Sequence, residues 1–441
     1  MMQAIPWRVG TGREWVGPSV ASILRIVLVP LRCLMAAPSL LCLAALAAML
    51  LRHPDVAFYE IDRIAFVLLV MGVAARVLIL RERSVAIERI TWPMLGLTII
   101  AVASVITQSF DHEVWSLLAS KFIVPFTLFH LAGAVFRDEK HFRQFEIFTA
   151  LVLAYLCFTA IAFLVGAHAL IFPRYILDES LGFHADRARG PLLQAVANGV
   201  SLNLLGLLAF HAYRRGSLRG VKVAILLLSV PLAILATMTR AVWLAFAGSL
   251  VAVICLSKNR KLRTLSIALA VVAAIGLAVA MSSTTLGDSV TDRLEERGPV
   301  DYRAAVYEGG WRMFLERPLT GWGFHRMPDE LPRYVSGYRE KVLYPHNTYL
   351  ELAVEHGLVG FALYLWLMWE LWRLGRGRIP SGDRHSFLNA DFHRMWPVLL
   401  AVYWINASMV VMSYQFVNGL LFTVAGMLAA QRRRAEAELA C

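Results

Sequence analysis

The residues best suited to chemistry in this sequence are arginines and one histidine. Arg187 and Arg189 fall in HADRARGPLLQAVANG, Arg240 in TMTRAVW, and Arg303 and Arg312 in a charged stretch that ends at His346. Lys121 sits in an apolar run and joins them by sidedness, argued below. A guanidinium keeps its proton and forms bidentate, charge-assisted bonds to phosphate, so arginines gathered on one face suit a buried phosphorylated anion. A neutral imidazole at His346 could take a proton from a hydroxyl near neutral pH. Each cation also has a plainer reading: snorkelling to lipid headgroups, or pairing with an acid such as Asp186. Arg76 takes that reading most simply, and a single interfacial histidine can be purely structural.

The elements that must hold these residues are membrane helices. Of 441 residues, 58% are hydrophobic and 17% charged, and the mean hydropathy is +0.60. A soluble chain carries about a quarter charged residues. The apolar residues form long runs, which read as membrane spans. The fold class is therefore an all-α integral membrane protein of about twelve spans. They lie near 34–51, 61–80, 91–109, 116–136, 145–169, 192–212, 221–238, 241–256, 264–281, 348–372, 395–412 and 415–430. Residues 1–33 form an inner or interfacial segment, 34–281 hold spans 1 to 9, 282–347 are one large loop, 348–430 hold spans 10 to 12, and 431–441 are a tail. No cleavable signal peptide is evident. The five cysteines lack CxxC spacing and read as small buried hydrophobes, apart from the terminal Cys441.

Charge sets the sidedness. The connections after spans 2, 4, 6, 8 and 10, with the tail, hold 21 Lys and Arg against 8 acids, essentially all of the net +12. By the positive-inside rule they are cytoplasmic, as are both termini, and the basic balance needs no nucleic acid. The loop 282–347, with 9 basic and 10 acidic residues, faces outward, to the periplasm of a Gram-negative cell. Residues 221–256 are nearly continuous apolar sequence around Arg240. One helix of that length would be about 54 Å, too long for a ~30 Å hydrocarbon core. Both flanks, YRRGSLRG and SKNRKLR, are basic and share a side, so the run is a hairpin with Arg240 at its outer tip. Arg187, Arg189 and Lys121 map to the same outer face.

The loop is rich in aromatics, Tyr302, Trp311, Trp322 and Tyr344 among them, which argues against disorder and suits an interface belt or sugar stacking. Thr348 and Glu351 have the spacing of a capping box, predicting that a helix begins there with His346 just ahead of its N-terminus, a place that favours anions. Glu60-Ile61-Asp62 and Asp111-His112-Glu113 are outward acidic groups that could take a divalent cation. The arginines already supply the neutralising charge, so no metal or cofactor is expected.

At PLTGWGFHRM and PHNTYLELAVEHGLVG the sequence resembles the O-antigen ligase and polymerase superfamily, the WaaL and Wzy proteins. Arg303 ahead of Trp311, the Gly-Trp-Gly turn, His346-Asn347 and the following Glu-x-Gly-Leu carry the resemblance. TMTRAVW resembles that family's T-x-S-R-x-A with Thr239 for Ser, and RARGPLLQAVANG its Arg-Gly…Asn-x-Gly segment. The likeness spans roughly residues 185–430.

The resemblance implies a C-type (GT-C) glycosyltransferase at the outer face of the bacterial inner membrane. It would move a glycan from undecaprenyl diphosphate to a hydroxyl of the lipid A–core, inverting and without metal. His346 would be the base or place the acceptor. Arg189 and Arg240 would hold the diphosphate with Arg303, Arg187 and Lys121, while Asn347, Tyr344 and Trp322 would line the acceptor side. A monomer is expected. A polymerase of O-antigen or exopolysaccharide repeats uses the same donor and stays open, as does a protein O-oligosaccharyltransferase. A transporter would require paired broken helices and midplane charges.

Overall fold

The computed structural model of the chain describes residues 34–52, 60–81, 87–182, 184–256, 298–337, 342–380 and 386–440, with parts of 264–278. The N-terminal segment 1–33, the connection SKNRKLR and the first part of the large loop lie outside the described residues.

The described residues are helical, with no β-strand among them. The first helices are α1 Pro38–Leu50, α2 Ile61–Leu80, α3 Thr91–Ile106, α4 His112–Val135, α5 Glu139–Leu164 and α6 Ala195–Arg215. They are followed by α7 Val221–Ala236, α8 Arg240–Leu256, α9 Gly298–Glu316, α10 Thr348–Leu374, α11 Ala390–Ala407 and α12 Gln415–Ala440. Four of these, α4, α5, α6 and α10, are long and apolar enough to cross a membrane, and α1, α3 and α7 are shorter apolar helices. Every predicted apolar range holds a helix; in 264–281, which is described in part, it is Ile267–Gly276. One helix of the set, α9, belongs to the loop.

A single apolar core runs through the bundle, from Leu46 and Leu69 through Phe145 and Leu205 to Trp396 and Leu428. In lipid, side chains of equal apolarity gain little by merely leaving solvent, so close packing of small residues matters more. Helix α12 lies along α4, where a Cβ on Gly426 would stand 2.0 Å from the Phe129 carbonyl oxygen. Only glycine allows that approach. Large apolar side chains such as Leu151, Leu244 and Val251 point outward, as a lipid environment permits.

The hairpin read from charge is present as α7 and α8, joined by Thr237, Met238 and Thr239, with Arg240 exposed at the first position of α8. The large loop is less independent than a separate domain. Its own small core, Val306, Met313, Met327, Leu331 and Leu343, includes Val354 of α10.

Candidate functional site

The site is assembled where α10 begins. Asn347, not Thr348, caps that helix: its side-chain oxygen accepts from the amides of Tyr349 and Leu350 at 3.0 and 3.2 Å. The expected capping box does not form, because both of its members are engaged elsewhere. Thr348 donates to the Val410 carbonyl at 2.8 Å and accepts from the Met412 amide at 3.0 Å, fastening α10 to the turn between α11 and α12. Glu351 turns to Lys121.

His346 precedes the cap with φ of 47°, a left-handed conformation that costs a non-glycine residue energy. Pro345 and the capped Asn347 on either side hold it there. The Tyr302 ring lies 5.9 Å from the imidazole, and the Tyr302 hydroxyl bridges both backbone groups of Tyr344 at 3.2 and 3.3 Å. Burial, reinforced by the charges of Arg303 and His184, pushes the His346 pKa down to about 4. The imidazole is therefore neutral at physiological pH, with a lone pair to offer, and positive charge is already concentrated around it.

Arg303, on α9, reaches the same place. Its guanidinium lies 3.9 Å from the Met409 sulfur, and Tyr307 one turn on donates to the Ser408 carbonyl at 3.2 Å. Thus α9, the start of α10 and the α11–α12 turn converge at His346. The loop containing Arg187 approaches from another side. The Ala188 amide donates to the Ala236 carbonyl at 3.1 Å, tying this loop to the hairpin tip that carries Arg240, while its His184 acts electrostatically on His346. Arg187 lies 3.5 Å from Asp186. Tyr344 is 43% exposed beside the site.

Three predicted residues stand differently from the expectation. Arg189 is 1% exposed, and its guanidinium donates to the carbonyls of Ile176, Asp178 and Leu181. Its donors organise the 176–189 loop rather than facing an open site. Lys121 is paired with Glu351 at 2.5 Å, with both side chains buried, so its charge is neutralised locally. Trp322 donates its indole N–H to the Met313 carbonyl at 2.8 Å, and Arg317 covers its ring at 4.2 Å. It is a packing residue of the loop.

The Gly-Trp-Gly turn has a role the sequence did not disclose. Helix α10 breaks at Gly357, where φ is 63° and ψ −166°. The loop turn fills the break: Trp322 and Gly323 donate to the carbonyls of Val354 and Glu355, both at 2.9 Å, and Leu358 donates to the Pro318 carbonyl at 2.7 Å. The helix's own bonds are replaced by bonds to the loop, which keeps broken backbone satisfied inside the bundle. Gly321, at φ 73°, makes room, since a Cβ there would stand 2.4 Å from the Glu355 carbonyl oxygen. Phe324 follows into the bundle at 1% exposure, stacked on His356, and its amide donates to Ser104 Oγ at 2.8 Å.

The acidic pairs do not converge into a metal centre. Glu60 pairs with Arg63 at 3.0 Å, and Arg63 meets His112 at 2.9 Å. Among the described residues no three His, Cys, Asp or Glu side chains gather to hold a metal. Sequence reasoning named Tyr302 only as one of the loop's aromatics and passed over His184. Only the position of His184 in HADRARG, beside two candidate arginines, pointed to it.

These features define a helical membrane protein with a cationic, histidine-bearing site at one end of its bundle. Residues 200–365 match the family model described as O-antigen ligase. Arg240, Arg303, Trp322, Tyr344, His346 and Asn347 lie within the matched residues, whereas Lys121, Arg187 and Arg189 lie before them. No curated protein matches the chain.

Proposed function

We propose that this protein is an O-antigen ligase: a metal-independent, inverting glycosyltransferase of the bacterial inner membrane. It transfers a glycan from undecaprenyl diphosphate to a hydroxyl of the lipid A–core. The observation that carries the proposal is the convergence of His346 and Arg303 at the Asn347-capped start of α10, within the matched segment. About twelve spans of GT-C type, both termini in the cytoplasm and the site at the periplasmic face complete the proposed topology, which rests on charge sidedness. The protein acts as a monomer.

The physical logic follows from the leaving group. As the glycosidic bond to the diphosphate breaks, negative charge grows on the phosphate oxygens. Arg303 and Arg240, with Arg187 beside them, stabilise that charge more in the transition state than in the ground state. His346 takes the acceptor proton, or places the hydroxyl for in-line attack. Its own low pKa fits a site waiting for an anion: the arriving diphosphate offsets the neighbouring cations and raises the basicity of the imidazole when it is needed. Tyr344 offers an aromatic face to the acceptor. Arg189 and Lys121 act by holding the 176–189 loop and the start of α10 in place.

The polymerase reading uses the same donor chemistry. Expression in a strain lacking its own ligase separates the two. Long-chain lipopolysaccharide bands returning with the wild-type chain support the ligase. Longer lipid-linked polymer without such bands selects the polymerase, and movement of lipid-linked glycan with no new glycosidic bond overturns the transferase reading.

A further inference from the structure

Helix α10 begins beside His346 and runs 27 residues to the opposite end of the bundle. There, between its last turn and the final turns of α12, lies a cleft of about 400 Å³. Its walls include Arg373, Arg376, Arg378 and Arg432, with Trp369 and Trp372. Among the described residues the only acid in the lining is Glu436.

Part of this charge has a local explanation. Arg373 pairs with Glu370 at 3.1 Å and Arg432 with Glu436 at 2.8 Å, and cations suit a helix C-terminus. Arg376 and Arg378 lie beyond Gly375, the C-cap, and among the described residues neither has a carboxylate partner. The Arg376 guanidinium lies 3.6 Å from the centre of the Trp372 ring. Stacking of this kind fixes the plane of the guanidinium and leaves its N–H edge directed outward, the arrangement that receives phosphate oxygens.

We propose that this cleft binds the phosphate headgroup of an anionic phospholipid, in the leaflet opposite the candidate transfer site. The arginines alone would suit any phosphate. Trp369 and Leu439, 54% and 65% exposed on the same cleft, add an apolar surface that a free phosphate does not use and the first carbons of a lipid chain do. Exposed tryptophan beside arginine is the composition of a membrane interface, and basic pockets between helices hold anionic headgroups there.

The test is native mass spectrometry of the purified full-length protein in detergent, with phosphatidylglycerol or phosphatidylcholine added at equal concentration. The wild type retains phosphatidylglycerol preferentially. Replacing Arg376→Gln and Arg378→Gln together lowers that retention roughly tenfold. Arg394→Gln, at the same end but paired with Asp391 at 3.2 Å, leaves it unchanged. Should the double variant fail to fold, Arg378→Gln alone, at an exposed side chain, shows the same direction of loss. Equal retention of the two lipids, or full retention by the variants, overturns the proposal. Displacement of the lipid by millimolar inorganic phosphate also overturns it, marking a small-anion site instead. No glycan enters the measurement, so its failure leaves the transferase reading untouched.

Discussion

The ammonium of Lys121 lies 2.5 Å from Glu351 Oε2, and the two side chains are 8% and 5% exposed. This pair joins α4 to the first turn of α10, five residues after His346. Lys121 lies in a π-helical turn of α4 over Ala119–Ile123. Pro125 cannot donate to the Lys121 carbonyl four residues earlier and would clash with it, and the wider turn relieves the conflict.

Removing one partner of such a pair strands the other charge. Lys121→Met should therefore destabilise the folded protein by about 3–5 kcal/mol, and Lys121→Met with Glu351→Leu should recover most of that loss. Thermal unfolding in detergent measures both. A single variant as stable as the wild type would show that the pair carries no such role.

His346 must be unprotonated to accept a proton. With its pKa held at about 4 rather than the ordinary 6.5, the acid limb of kcat/KM should fall near pH 4, and the limb of kcat higher, once the diphosphate's charge is present. Between 6.5 and about 4 the unfolded chain takes up a proton that the folded chain refuses. Stability therefore falls as pH drops through that window. An acid limb of kcat/KM at 6.5 or above would remove His346 from the assigned role. His346→Ala should abolish transfer while leaving membrane insertion intact.

Asn347→Ala should cost about 1 kcal/mol of stability, the ordinary value of an N-cap. The transfer rate should fall by far more, since the cap fixes the residue that follows His346. Asn347→Asp, which can cap equally well, should restore both. Rescue of stability without rescue of rate would assign Asn347 a direct contact with substrate instead.

Arg303→Ala and Arg240→Ala should each reduce transfer below detection, because on the proposed function each removes charge next to the leaving diphosphate. Arg312→Ala is the contrast. Its partner is Glu308 one turn away, both are exposed, and the change should shift stability by under ~0.5 kcal/mol and leave the rate unaltered. Activity assays on purified protein distinguish the three.

Gly357→Ala places a Cβ 2.3 Å from the Leu319 carbonyl oxygen at a backbone angle alanine rarely adopts. We expect a loss of about 2–4 kcal/mol, with the loop turn released from α10. Faster amide exchange at Trp322, Gly323 and Leu358 would report it. Unchanged exchange would mean that the splice survives without glycine.

The sequence by itself determined the large-scale order of this protein. Apolar runs locate helices because a polar backbone in lipid must satisfy itself, and the run 221–256 divides at Arg240 because one helix of that length exceeds the bilayer. The histidine and arginines were legible by type, and charge sidedness gave the expectation of one shared face. Their engagements were not, because those depend on how the loops fold and on which helices meet. That Arg189 donates to three carbonyls of its own loop, that Lys121 meets Glu351, and that Asn347 caps α10 are seen only in the tertiary structure. The same holds for the Gly-Trp-Gly turn and the glycine of Glu-x-Gly-Leu, two motifs separated by more than thirty residues that meet as one backbone splice. Local pattern records what a residue can donate or accept, and only the tertiary structure decides where that capacity is used.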